Sequence, residues 1–159
     1  MKMPLAFMIV LFLLVALLIL PSCTDRREGT SAPDLQALGD APYVIRGDGG
    51  GQLISAQADR FALESWGGPV EIRGKCRSAC TIFITLPNAC IGKGSTIGFH
   101  GSNVNVGPIG WRQMHRYYRG DMADIYKAEW RHIPSNEIHD ITAQEAKRLD
   151  PLINICGAK

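Results

Sequence analysis

Between Lys2 and Asp25 the chain has no charged residue, and from Pro4 to Leu20 it is almost unbroken hydrocarbon. Such a run can be neither a loop nor part of an ordinary water-soluble core, so it decides what is left to fold. Lys2 stands in front as a positive flank, and Pro21-Ser22-Cys23 follows as a helix-breaking, small-residue boundary. Residues 1–22 therefore read as a signal sequence. An uncleaved membrane anchor is the alternative, since about 17–20 apolar residues can span a bilayer. On either reading the rest of the chain is exported.

Leu20-Pro21-Ser22-Cys23 resembles the lipobox of bacterial lipoproteins, in which cleavage precedes a cysteine that then carries the lipids. That resemblance makes Cys23 the lipidation site and places the protein in the bacterial cell envelope. It would be held at a membrane through lipid on Cys23 or through the N-terminal helix, facing the periplasm or the cell exterior. Residues 23–34 are polar, include Asp25-Arg26-Arg27-Glu28, and read as a flexible tether. Residues 35–159 remain for one domain, enough to bury its own core. Removing residues 1–22 takes away Lys2 and leaves 16 basic against 15 acidic residues, a balance that implies no nucleic-acid partner. Cys76, Cys80, Cys90 and Cys156 are an even set in an oxidising compartment, which favours disulfides, and four cysteines allow three pairings.

Tyr43-Val44-Ile45 is β-prone and stops at the glycine-rich loop Gly47-Asp48-Gly49-Gly50-Gly51. Apolar residues at helical spacing predict a helix over Leu53–Ser65, ended by Gly67-Gly68. Pro69–Arg73 alternates as a strand, and Gly74–Cys80 turns from it into an apolar helix over Thr81–Leu86. Ala89–Ile91 and Thr96–His100 read as short strands, Gly101–Gly110 as a loop, and Trp111–Trp130 as one long amphipathic helix with Gly120 as its weak point. Thr142 followed by Glu145 looks like a capping box opening a last short helix. Strands alternating with helices make an α/β domain.

Ser78 falls where a strand hands over to a helix, a position that exposes a side-chain oxygen and aims main-chain N–H groups at a developing anion. His100 closes a strand 22 residues later. A serine needs a base to become a nucleophile, and neutral imidazole is the usual one. Backbone N–H groups of Gly50 and Ala79 are candidates for the oxyanion hole. Taken singly, a serine at such a junction is most often a helix cap, and a lone histidine is most often structural. It is the order of glycine loop, serine and histidine that points to acyl-transfer chemistry.

Gly50-Gly51-Gln52-Leu53, Gly74-Lys75-Cys76-Arg77-Ser78-Ala79-Cys80-Thr81 and Gly98-Phe99-His100-Gly101 resemble the Clp protease/crotonase superfamily, specifically its small exported, cysteine-containing bacterial members. The resemblance implies a spiral of β-β-α units, with Gly50 on the oxyanion, Ser78 as nucleophile and His100 as general base. It also sets Trp111–Trp130 in the place of a handle helix, a face available for joining subunits, and likens Thr142–Ala146 to the Ser-Ala-x-Glu-Ala run near that family's end. The likeness is clear over residues 43–102 and thinner over 111–150. Three departures stand out: Asp48-Gly49 replaces the Ser-Pro of the glycine loop, the first β–α unit is truncated, and Ile138 occupies the place of the triad acid. Asp140, Glu137 and Asn136 are the nearby substitutes.

Cys76, Cys80, Cys90 and His100 could on paper form a Cys₃His zinc site, but Cys-x₃-Cys is not the usual knuckle. A bridge from Cys76 or Cys80 to Cys90 or Cys156, bracing the nucleophile turn, is the preferred reading. His115, His132 and His139 suggest no ligand set, and no motif calls for a cofactor. Two functions remain open: a membrane-tethered serine hydrolase or peptidase acting on a peptide substrate through Ser78 and His100, and a non-catalytic envelope lipoprotein using the fold as a binding or scaffold module.

Overall fold

A computed structural model describes residues 35–102 and 107–157. The signal sequence, Cys23 and the tether lie outside them, as does part of the expected loop after Gly101. A 3₁₀ turn at Leu35–Leu38 leads into strand β1, Tyr43–Asp48. Helix α1 spans Leu53–Trp66 and stops at Gly67, which is left-handed and donates its N–H to Leu63 O at 3.2 Å. Strand β2, Val70–Arg77, runs longer than its alternating pattern suggests.

β2 is the centre of a six-stranded sheet ordered β5-β4-β2-β3-β6, with β1 also paired to β2. Its first half pairs in parallel with β3 (Ala89–Ile91), through Val70↔Ala89 and Ile72↔Ile91. Its second half pairs in parallel with β4 (Thr96–Phe99), through Lys75↔Thr96 and Arg77↔Gly98. The ladder is interrupted between these halves, and buried Ser95 bridges the break: its hydroxyl accepts from Gly74 N at 3.1 Å and donates at 3.0 Å to Ile72 O, which also accepts from Gly92 N at 2.8 Å.

After β2 the chain winds as a 3₁₀ helix, Ser78–Thr85, rather than an ordinary α-helix. Thr81 and Thr85 donate their hydroxyls back to Ser78 O (2.7 Å) and Ile82 O (3.3 Å), three residues earlier, which suits the tighter winding. Arg60 of α1 also donates to the carbonyls of Ile82 and Thr85 at the far end, fastening the helix terminus to α1.

The long helix expected over 111–130 is two helices, α2 at Gly107–His115 and α3 at Gly120–Ala128, followed by a 3₁₀ turn at Trp130–His132. Gly120 is the break. Its φ of +54° favours glycine, and a Cβ there would stand 2.7 Å from Leu149 O. Arg119 fastens the break by donating to buried Asp150 at 2.9 Å.

Strand β5, His139–Thr142, returns antiparallel to β4, helix α4 covers Ala143–Leu149, and β6, Asn154–Ile155, pairs in parallel with β3. The core lies between sheet and helices, with Ile72, Ile82, Ile91 and Ile97 fully buried. Phe99 stacks on Trp130 at 4.4 Å between ring centres. Trp130 and half-buried Trp111 thus serve packing.

Candidate active site

Beyond the end of β4 lies a cavity of about 680 Å³, with Ser78, Ala79, His100 and Gly51 among its lining residues. Its walls are largely apolar, from Leu53, Phe99, Met114, Tyr118 and Tyr126, and exposed Ile54 and Ile109 contribute to its lining. The strand ends bring these groups together. β2 delivers Ser78 and β4 delivers His100 from adjacent, parallel-paired positions in the sheet.

Ser78 is the one non-glycine residue among those described with a positive φ, +54°. Such left-handed backbone is costly for an L-residue and tends to be kept where function needs it. The turn is pinned on three sides. A Cys76–Cys80 disulfide closes a five-residue loop with Ser78 at its middle. Thr81 Oγ1 holds the Ser78 carbonyl and also shares a hydrogen bond with Tyr118 Oη at 2.6 Å. Gly50 (φ +100°) lies so close that a Cβ there would meet Ser78 Cβ at 2.5 Å.

Gly50 donates its N–H to Asp48 Oδ1 at 2.7 Å, so that donor is already engaged. Gly51, its neighbour, lines the cavity, as does Ala79. The sequence names Gly50 as the oxyanion donor; its loop lies beside Ser78, but the Gly50 N–H is turned to Asp48 and Gly51 is the glycine that lines the cavity.

His100 is half-buried, and its Nδ1 meets the carbonyl oxygen of Gly101. A carbonyl only accepts, so the Nδ1 hydrogen bond is made by the N–H, and the neutral tautomer that fits it has its lone pair on Nε2. Gly101 is held in turn by its own N–H, which donates to Ile133 O at 2.9 Å. Among the described residues no hydrogen bond joins Ser78 Oγ to His100.

Among the described residues no hydrogen bond or ion pair joins His100 to Asp140, Glu137 or Asn136, the three substitutes for the triad acid. Asp140 accepts from Arg77 Nε at 3.0 Å and from Arg77 Nη2, while Asn136 and Glu137 are exposed. Phe99 faces His139 in the last pair of the β4–β5 ladder, so His100 and Ile138 lie just beyond it.

The cysteines pair as Cys76–Cys80 and Cys90–Cys156, which corrects the expected bridge between the nucleophile turn and a distant cysteine. Four residues of separation already bring the Cys76 and Cys80 Cα atoms to 5.3 Å. With every one of these sulfurs oxidised, no thiolate remains for the alternative zinc site, and the grouping of Glu71 with Cys90 and Cys156 is explained by the second bridge. Sequence reasoning missed Thr81 and Tyr118 as part of the site. They read only as helix-packing positions. Burial raises the Tyr118 hydroxyl well above its usual pKa, so it stays protonated at the cavity floor.

The architecture is a mixed α/β fold around a parallel sheet with one antiparallel edge strand. A peptidase from Plasmodium falciparum shares it with a TM-score of 0.50 at 12% identity, covering 74% of this chain and 78% of that one. A structure described only as an enzyme gives 0.49 at 12% identity, over 74% of this chain and 77% of its own. An enoyl-CoA hydratase from Mycobacterium smegmatis gives 0.42 at 17% identity, over 64% of this chain and 38% of the hydratase. These are likenesses of fold. No protein-family model and no curated protein matches the chain. The two bridges are compatible with an exported protein, and no helix among the described residues is long and apolar enough to cross a membrane.

Proposed function

We propose that the chain is an exported, membrane-tethered serine hydrolase of peptidase type. The observation that carries this is the left-handed Ser78 at a strand–helix junction, lining the same cavity as His100. In this reading Ser78 Oγ attacks a substrate carbonyl while His100 Nε2 takes its proton, and Nδ1–H stays on the Gly101 carbonyl. The oxyanion forms beside the N–H groups of Ala79 and Gly51. The imidazolium then protonates the leaving amine, and water activated by the same ring releases the acyl group. A main-chain carbonyl carries no charge to offset the imidazolium, so the pair works as a dyad, slower than a full triad.

The test is labelling of the purified full chain with a fluorophosphonate, followed by mass spectrometry of the Ser78 peptide. Modification at Ser78 is expected, with loss in Ser78→Ala and a large drop in His100→Ala. The second reading, a binding or scaffold module, is favoured by one feature: the carboxylate of Asp140, a candidate third member, is committed to Arg77. A folded, oxidised protein inert to the probe would decide for that module.

A further inference from the structure

We infer that the Cys76–Cys80 disulfide is a positioning device for Ser78, setting the left-handed turn rather than holding the domain together. The inference rests on the reading of Ser78 as a nucleophile for its functional meaning, but its structural content stands separately. Cys76 is locked in the sheet on both sides, its Cα paired with Asp48 of β1 and Ile97 of β4. Cys80 lies in the 3₁₀ helix and both half-cystines are almost fully buried. The bridge therefore ties β2 to the 3₁₀ helix across only three residues: Arg77, the last of the strand and paired with Gly98, and Ser78 and Ala79, the first two of the helix.

Closing so short a gap is what drives the middle residue out of the ordinary regions of backbone space. The other contacts at the turn are weaker constraints. Thr81 holds the Ser78 carbonyl but not its φ, and the Gly50 approach excludes bulk without dictating a dihedral. A bridge meant chiefly for stability would close a long loop, as Cys90–Cys156 does across 66 residues. A five-residue loop restrains little of the unfolded chain and much of one local conformation.

The experiment compares the oxidised full chain with Cys76→Ala/Cys80→Ala and with Cys90→Ala/Cys156→Ala as control. Fluorophosphonate labelling of Ser78 is expected to slow about 100-fold in the first variant while its melting stays cooperative, since a misplaced nucleophile loses rate on that scale. In the control the melting temperature falls and the labelling rate holds within about twofold of the wild type. Unchanged labelling in Cys76→Ala/Cys80→Ala overturns the inference.

A second measurement does not depend on Ser78 being reactive. Ser78→Gly is placed in the wild type and in Cys76→Ala/Cys80→Ala, and its effect on melting temperature is compared. Glycine relieves the left-handed backbone only where the bridge imposes it, so the shift is expected to be more favourable, by a few degrees, with the bridge present. Equal shifts in the two backgrounds overturn the inference, as does failure of Cys76→Ala/Cys80→Ala to fold both with and without Ser78→Gly. If the wild type is inert to the probe, the hydrolase reading fails and the glycine comparison alone decides the positioning role.

Discussion

Cys76 and Cys80 stand four residues apart and enclose Ser78, whereas Cys90 and Cys156 are separated by 66 residues and tie β3 to the end of β6. Loop-closure entropy gives a five-residue loop about 2 kcal/mol of stabilisation and the long one about 4 kcal/mol. Their settings differ as well: the short bridge is buried, the long one half-exposed. The turn around Ser78 is thus rich in geometric constraint, with a disulfide, a close glycine and a shared hydroxyl. The closing arm, β5–α4–β6, is rich in long-range fastening, adding the Arg119–Asp150 pair and Lys147 Nζ donating to Ile153 O at 2.8 Å. One region shapes a site and the other holds the sheet shut around it.

The largest effect that separates the two lies in the arm. Cys90→Ala/Cys156→Ala should lower the unfolding free energy by about 4 kcal/mol, read by urea denaturation. A loss near 1 kcal/mol would mean that β6 is already fixed by its short ladder and that the two regions are less unlike than their bridges suggest.

Next comes a pH effect from a tyrosine in the cavity wall, a residue type the arm does not hold. Burial pushes the Tyr126 hydroxyl from its ordinary 10.0 up to about 12. The folded state keeps that proton more tightly than the unfolded chain does. Its contribution is therefore complete below pH 10 and is lost as pH rises toward 12. The shift corresponds to about 3 kcal/mol. Tyr126→Phe should flatten the fall in melting temperature across that window; an unchanged fall would place the titrating group elsewhere.

Much of this arrangement is legible in the chain because it depends on neighbours in sequence. Gly67 stops α1 and Thr142 opens α4, and the order of glycine loop, Ser78 and His100 marks the cavity before any coordinates do. What escaped depends on partners far away. Gly120 breaks the helix expected over 111–130 where Leu149 O lies against it, Asp140 is spent on Arg77 across β4, and Gly51 rather than Gly50 meets the cavity because Asp48 curls back. The cysteine pairing is of the same kind: spacing permits three solutions, and only the placement of β6 beside β3 selects one. Two residues of β6 carry too little pattern to announce that placement.

The smallest separable effect is at the start of α4, where the expected capping box is half made. Glu145 N donates to Thr142 Oγ1 at 3.1 Å, but the Glu145 carboxylate pairs with Arg148 at 3.4 Å on the exposed side of the helix. Removing the made half should matter and removing the other should not. Thr142→Ala is expected to cost about 1 kcal/mol and Glu145→Gln no more than about 0.5 kcal/mol. Because Thr142 pairs with Thr96, at the opposite end of β4 from His100, neither change should move the labelling rate of Ser78. Slower labelling in Thr142→Ala would show that the arm transmits its stability along β4 to the histidine, and that the division between shaping and fastening does not hold there.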